Sequence, residues 1–202
     1  PLGTKLSIYI LLRFYFDIFS PEYVYQVLNI QNFMVWLSTI AIIVGSLYAI
    51  FHTNYRKVIA FIVVAEIGYI VGGVWTGHPD SLMAAIYHIV ADSLMTLSLF
   101  MIGGMILFYI KSEKLSDCAN IFRRLPFTSV ALIIVFASIV GIPPTSGFFS
   151  KMYLIKGAFQ MGYFQFIVAL LFSSLGKLLF LRLSFGSSST NLDGKLSIQS
   201  PW

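Results

Sequence analysis

The feature that most restricts how this chain folds is the length of its apolar stretches. From Phe33 to Phe51 there is no Asp, Glu, Lys or Arg. In a helix those residues rise ~28 Å, about the depth of a bilayer's hydrocarbon core. Comparable apolar runs cover about 58–76, 81–110, 125–160 and 164–183, and a shorter one covers 4–19. Without water, every backbone N–H and C=O must be satisfied inside the protein, so such runs read as helices. The chain is 58% hydrophobic and 10% charged, against about 25% charged in soluble domains. A core of 202 residues cannot hide that much apolar surface. The expected fold is an all-α polytopic membrane protein with about six transmembrane segments, one of them broken by proline. Residues 1–185 are expected to form this helical domain, and the polar tail 186–202 to be disordered.

Charge and cysteine usage narrow the function. The formal charge of +5 is scattered, which fits topology control rather than a nucleic-acid partner. Arg56, Lys57, Lys111, Lys114, Arg123 and Arg124 fall on one side of the threading, and Asp17, Glu22 and Asp80 on the other. By the positive-inside rule the first side faces the cytoplasm or the mitochondrial matrix. The expected location is multi-pass in a bacterial or archaeal cell membrane or the mitochondrial inner membrane. Cys118 is the single cysteine, which excludes an internal disulfide and a thiolate cluster. No phosphate loop, dinucleotide fingerprint, hydrolase triad or paired-histidine spacing is present. No cofactor, metal or catalytic redox residue is therefore expected, and any redox chemistry belongs to a partner. The chain begins at Pro1 already in apolar sequence. It is expected to be a fragment, a processed product or one part of a split gene.

Five ionisable groups lie at membrane depth: Lys5, Glu66, His88, Asp92 and Lys151. A charged side chain at a helix centre costs roughly 2.5–3.5 kcal/mol on insertion scales, so four unpaired ones would cost about 10 kcal/mol. They must be paired, hydrated or neutralised. His88, Asp92 and Thr96 recur every four residues and share one helix face, so His88 and Asp92 are placed to exchange a proton. Singly, each group is as well explained by packing or by a lysine reaching back to the interface. As a set with both signs spread over four helices, they read as a polar pathway. Lys156 and Lys177, nearer helix ends, read first as interface-seeking lysines, with Lys177 a lesser candidate for the pathway.

In GIPPTSGFFSKMYLIK, residues 141–156, Pro143 and Pro144 supply no backbone N–H, and Ile142 before them is pushed out of the helical region. A helix is expected to break near Gly141 and restart near Gly147 or Phe148, with Lys151 just beyond. Gly68–Gly72 and Gly73–Gly77 have the spacing of close helix packing, and Gly103–Gly104 reads the same way.

Four motifs then resemble one family, the antiporter-like proton-pumping subunits shared by respiratory complex I, membrane-bound hydrogenases and Mrp sodium/proton antiporters. They are TKLSIYILLR at 4–13, NYRKVIAFIVVAEIGYIVGG at 54–73, AAIYHIVADSLMTLSLFMIGG at 84–104 and GIPPTSGFFSKMYLI at 141–155. Order and spacing fit over about residues 4–185. The resemblance implies the second of the family's two inverted five-helix repeats. It implies that Lys5 is the central-channel lysine and that His88 matches a histidine some relatives carry. Glu66 and Asp92 stand where relatives often have His or Gln, and His, respectively. Lys151 resembles the residue that hands the proton outward. The wording around 54–104 is closer to Mrp-like and hydrogenase-like subunits. The implied function is a proton-conducting subunit, or part of one, among other subunits of a multisubunit membrane complex. It would carry H+, with Na+ as the other ion to weigh, driven by redox chemistry or a Na+ gradient in its partners. The alternative is a non-conducting structural element of a membrane arm.

Overall fold

The computed structural model describes residues 2–20, 22–27, 30–113 and 125–193, with side chains as far as Leu179. Seven α-helices run through them: α1 Leu2–Arg13, α2 Gln31–Phe51, α3 Tyr55–Trp75, α4 Pro79–Ile110, α5 Pro126–Val140, α6 Ser146–Gln160 and α7 Phe164–Asp193. Single π-helical turns at Phe14–Ile18 and Tyr23–Val27 lie between α1 and α2. Among the described residues there is no strand. Helices α2, α3 and α4 are long and apolar enough to cross a membrane, and α5 and the segment Phe164–Leu179 are shorter apolar helices. The outer faces carry exposed Phe, Leu, Ile, Val and Met, as a lipid-facing surface requires.

Local chemistry sets the boundaries. Asn54 caps α3, its side-chain oxygen accepting from the Arg56 and Lys57 amides at 3.0 and 3.3 Å. At the other end Gly77 takes φ +73, a left-handed conformation that favours glycine. His78 then caps α4, Nδ1 accepting from the Asp80 amide at 3.1 Å, with Pro79 in the first turn. Tyr25 ties the α1–α2 connection to the bundle, donating to the Val74 carbonyl at 2.9 Å. Burial pushes its phenol up to about 12, so the donor persists at working pH.

The basic loops meet at one end of the bundle. Glu113 accepts the Tyr55 amide on its carbonyl at 2.9 Å, takes Asn54 Nδ2 at 2.8 Å and pairs with Arg56 at 3.0 Å. Residues 52–57 and 111–113 therefore share a side, in agreement with the charge threading. Lys114, Cys118, Arg123 and Arg124 lie outside the described residues.

Helix α2 packs on α3 and α7, α4 on α6, and α3 on α4. The glycines allow it: a Cβ on Gly68 would meet Ile42 at 2.6 Å, and one on Gly72 would run into the Phe166 ring. Gly103 packs on the Tyr55 ring, but a Cβ on Gly104 would meet nothing within 4 Å, unlike the packing role expected for it. Two differences concern the ends. The last helix continues past Leu183 to Asp193, so the expected tail begins with helical residues, and 194–202 lie outside the description. Helix α2 begins at Gln31, two residues ahead of the apolar run that starts at Phe33.

Two apolar clusters form the interior. One gathers Val35, Tyr69, Ile70, Trp75, Ala85, Leu154 and Phe166, and the other gathers Tyr55, Ile62, Ala91, Leu99, Ile106 and Phe136.

Candidate functional site

Glu66 falls between Ile62 of one cluster and Ile70 of the other, ~16 Å along α3 from Tyr55. His88 and Asp92 project from α4, Lys151 from α6, Lys177 from α7 and Lys5 from α1. All are removed from the surface: Lys151 is 6% exposed, and the other five are 2% or less.

Glu66 is the centre of the larger group. One carboxylate oxygen pairs with the Lys177 ammonium, and the other meets His88 Nε2 at 2.8 Å. His88 Nδ1 meets Ser150 Oγ at 2.8 Å, and Ser150 Oγ donates to the Gly147 carbonyl at 3.1 Å. Lys177 also donates to the Tyr69 hydroxyl at 3.1 Å. Tyr69 donates to Ser173 Oγ at 2.6 Å, which Ser46 reaches from α2 at 2.6 Å. One hydrogen-bonded chain thus links α2, α3, α4, α6 and α7.

A second group lies one helical turn along α4. Lys5 Nζ stands 2.9 Å from Asp92 Oδ2, and Thr96 donates to Asp92 Oδ1 at 2.7 Å. The Lys5–Asp92 contact has the distance of an ion pair but not the angles of a directed hydrogen bond.

Lys151 is held differently. Helix α5 ends at Val140, with Gly141 at φ +90. The Gly141 and Ile142 amides both turn back to the Ala137 carbonyl, at 3.0 and 2.9 Å. The carbonyls of Ile139 and Val140 have lost their helical partners, and the Lys151 ammonium donates to both, to Val140 at 3.0 Å. The break's orphaned carbonyls are satisfied by the lysine that follows it, at the negative end of the α5 dipole. The same ammonium lies 5.2 Å from the Tyr69 ring centroid, and Lys177 lies 4.6 Å from it. Among the described residues the group sets three buried lysines against two buried carboxylates, and Lys151 is the lysine that pairs with neither.

Several expectations change. The helix restarts at Ser146, a residue before Gly147, and Gly147 is pressed so close to α5 that a Cβ would collide with the Ser138 carbonyl. His88 and Asp92 share a face, but His88 turns to Glu66 and Ser150 while Asp92 turns to Lys5. Lys177 is not an interface-seeking lysine. Because α7 runs on to Asp193, Lys177 lies mid-helix, buried against Glu66. Lys156 does reach the surface, 55% exposed, and pairs with Asp80 at 2.9 Å. Tyr69, Ser150, Ser173 and Ser46 have no counterpart among the residues expected from sequence, since uncharged hydroxyls give no signal in an apolar helix. For Lys177 a signal exists, a lysine inside an apolar run, but a helix end expected at 183 masks it.

The chain is similar to known proteins over most of its length. Residues 2–176 match the family described as "NADH:quinone oxidoreductase/Mrp antiporter, TM". The chain is 33% identical over 172 residues to NADH-quinone oxidoreductase subunit N of Desulforudis audaxviator, covering 85% of this chain and 34% of that protein. It is 28% identical over 174 residues to a Na(+)/H(+) antiporter subunit of Bacillus subtilis, covering 86% of this chain and 34% of that one. The structure superposes on a chain of the Mrp complex from a Dietzia species with a TM-score of 0.81 at 27% identity, over 92% of this chain and 34% of that one. The chain thus spans about a third of the length of the relatives it matches. Relatives of both the complex I and the Mrp kinds match, at 33% and 28% identity.

Proposed function

The chain belongs to the NADH:quinone oxidoreductase/Mrp antiporter transmembrane family, and we propose that it is the proton-conducting part of an ion-translocating subunit. In this reading protons move between the Lys5–Asp92 pair, the His88–Glu66–Lys177 group and Lys151, which delivers them at the helix break. Partner subunits of a multisubunit complex would supply the driving force, from redox chemistry or from an opposing Na+ gradient.

The observation that carries the reading is the cation excess around Lys151. Lys5 and Lys177 each have a carboxylate, whereas Lys151 is held by neutral carbonyls and an aromatic face. Neutral dipoles hold an ammonium less firmly than a carboxylate does, so Lys151 is the buried lysine whose charge no opposite charge fixes in place. Movement of charge near Glu66 or Lys177 would then be felt at Lys151 through the shared Tyr69 ring.

One observation favours the second reading, a non-conducting structural element. Both carboxylates are already paired, and Lys151 performs a structural task by capping α5. Lys151→Arg separates the two. Arginine keeps a cation for the carbonyls but does not deprotonate in proteins. In a reconstituted full complex, the conducting reading expects Lys151→Arg to assemble and to lose translocation. Lys5→Ala should lose it too. Undiminished pumping in both variants would exclude the relay.

A further inference from the structure

Ser150 has no place among the charged groups, yet it joins two features that matter. Its hydroxyl is fully buried, touches His88 Nδ1 at 2.8 Å and donates to the Gly147 carbonyl at 3.1 Å. It lies in the first turn and a half of α6, directly before Lys151. We propose that Ser150 is a positioning residue whose hydroxyl turns with the protonation of His88 and so couples the central histidine to the helix break. The inference rests on the proton-conducting reading above and adds a device to it.

A serine hydroxyl has one proton to give. While that proton points to the Gly147 carbonyl, Ser150 Oγ can only accept, so His88 must carry a proton on Nδ1. If His88 gives up its Nδ1 proton and keeps one on Nε2 for Glu66, Nδ1 becomes an acceptor. The hydroxyl must then rotate to donate to Nδ1, and the Gly147 carbonyl loses that partner. No proton crosses Ser150 in this exchange. Only the direction of one O–H bond changes.

The change lands where little movement is tolerated. Gly147 is packed on the Ser138 backbone with no room for a Cβ, and Ser138 Oγ meets Ser146 Oγ at 3.1 Å. One residue past Ser150, the Lys151 ammonium grips Ile139 and Val140 at the end of the same helix α5. Altering the hydrogen bonding at the start of α6 thus bears on the contact that holds Lys151. The groups facing His88 are Glu66 and the Tyr69 ring from α3, the ring centroid at 5.6 Å, and Ser150 from α6. Lys177 of α7 acts through Glu66, Lys151 of α6 through the Tyr69 ring, and Lys5 of α1 through Asp92 on α4 itself.

The test uses the full complex carrying this chain, with ion translocation followed against pH. Ser150→Ala should assemble, lower translocation by about tenfold, the effect of losing one hydrogen bond to a charged group, and move the midpoint of the pH profile. Ser150→Thr, which keeps the hydroxyl, should restore both. Ser150→Cys, close in volume but a weak donor, should shift the profile in the direction of Ser150→Ala, and it serves if the alanine variant fails to assemble. On a His88→Gln background, Ser150→Ala should add nothing. A wild-type profile in the alanine and cysteine variants, or a full additional loss on the His88→Gln background, would overturn the coupling. If Lys151→Arg and Glu66→Gln abolish translocation while Ser150→Ala keeps the wild-type rate and pH profile, only the coupling falls. If Lys151→Arg and Glu66→Gln pump normally, the relay itself is wrong.

Discussion

Replacing Lys177 by methionine leaves the Glu66 carboxylate in the bundle interior with one of its two partners gone. Glu66 is 1% exposed and Lys177 2%, so water does not screen the loss. Breaking a buried ion pair by removing one member costs about 3–5 kcal/mol, most of it from the charge left behind. His88 still holds the other carboxylate oxygen at 2.8 Å, and Tyr69 still donates to Ser173 at 2.6 Å, which places the cost at the lower end, about 3 kcal/mol. Adding Glu66→Gln removes the stranded charge. The double variant Lys177→Met/Glu66→Gln should therefore be more stable than Lys177→Met alone, with a coupling energy of about 2 kcal/mol or more, roughly thirtyfold in the unfolding equilibrium. The assay is equilibrium unfolding in mixed micelles, followed by the emission of buried Trp75 and run as a double-mutant cycle. Lys156→Met is the control, because its pair with Asp80 lies at the surface and should contribute nothing measurable. Additive single and double variants, or a Lys177→Met cost below about 1 kcal/mol, would show that Lys177 does not neutralise Glu66 in the membrane.

Gly147→Ala drives a Cβ into the Ser138 carbonyl and should prevent α5 and α6 from meeting, read as loss of the assembled complex on native gels. Gly104→Ala meets nothing within 4 Å and should assemble as wild type, with about 1 kcal/mol of helix propensity gained. Tyr69→Phe removes the hydroxyl between Lys177 and Ser173 and should cost about 1–3 kcal/mol in the same unfolding assay, while the Ser46–Ser173 bond remains. Asp92→Ala strands Lys5, and it separates the two functional readings. If conduction is the role, ion flux per assembled complex falls more than assembly does, and if the role is structural the order reverses.

The membrane, the break and most of the charged groups are legible in the sequence for one reason: each is costly in hydrocarbon and so stands out against apolar neighbours. Glu66, His88, Asp92, Lys5 and Lys151 are visible as charges where lipid allows few. Partner choice is not visible in the same way. The four-residue spacing of His88 and Asp92 puts them on one face, but α3 and α6 arrive beside His88 and α1 beside Asp92, and those approaches are tertiary facts. Lys177 escapes a local reading because its depth depends on how far α7 continues, and a polar run of serines past 185 hides a helix that persists to Asp193. The hydroxyl chain through Tyr69, Ser173, Ser46 and Ser150 is silent in the sequence, since serine is ordinary at close-packed membrane helix contacts.

If the proposed conduction holds, Lys151 meets a structural and a transport role with one side chain. The proline break frees the carbonyls of Ile139 and Val140, and something must satisfy them within the membrane. A serine or a water molecule could do so without charge. A lysine does so with an ammonium that neutral carbonyls hold, beside an aromatic ring shared with the lysine that neutralises Glu66. A capping group needs donors, and a neutral lysine amine still offers two of the three that the ammonium has. Losing a proton therefore weakens the cap without abolishing it, and the break can survive a change of charge at the residue that holds it. A carboxylate partner would have fixed the charge, and an arginine would never release it. The combination of neutral carbonyl ligands and a lysine is what a site needs if it must stay folded in both protonation states.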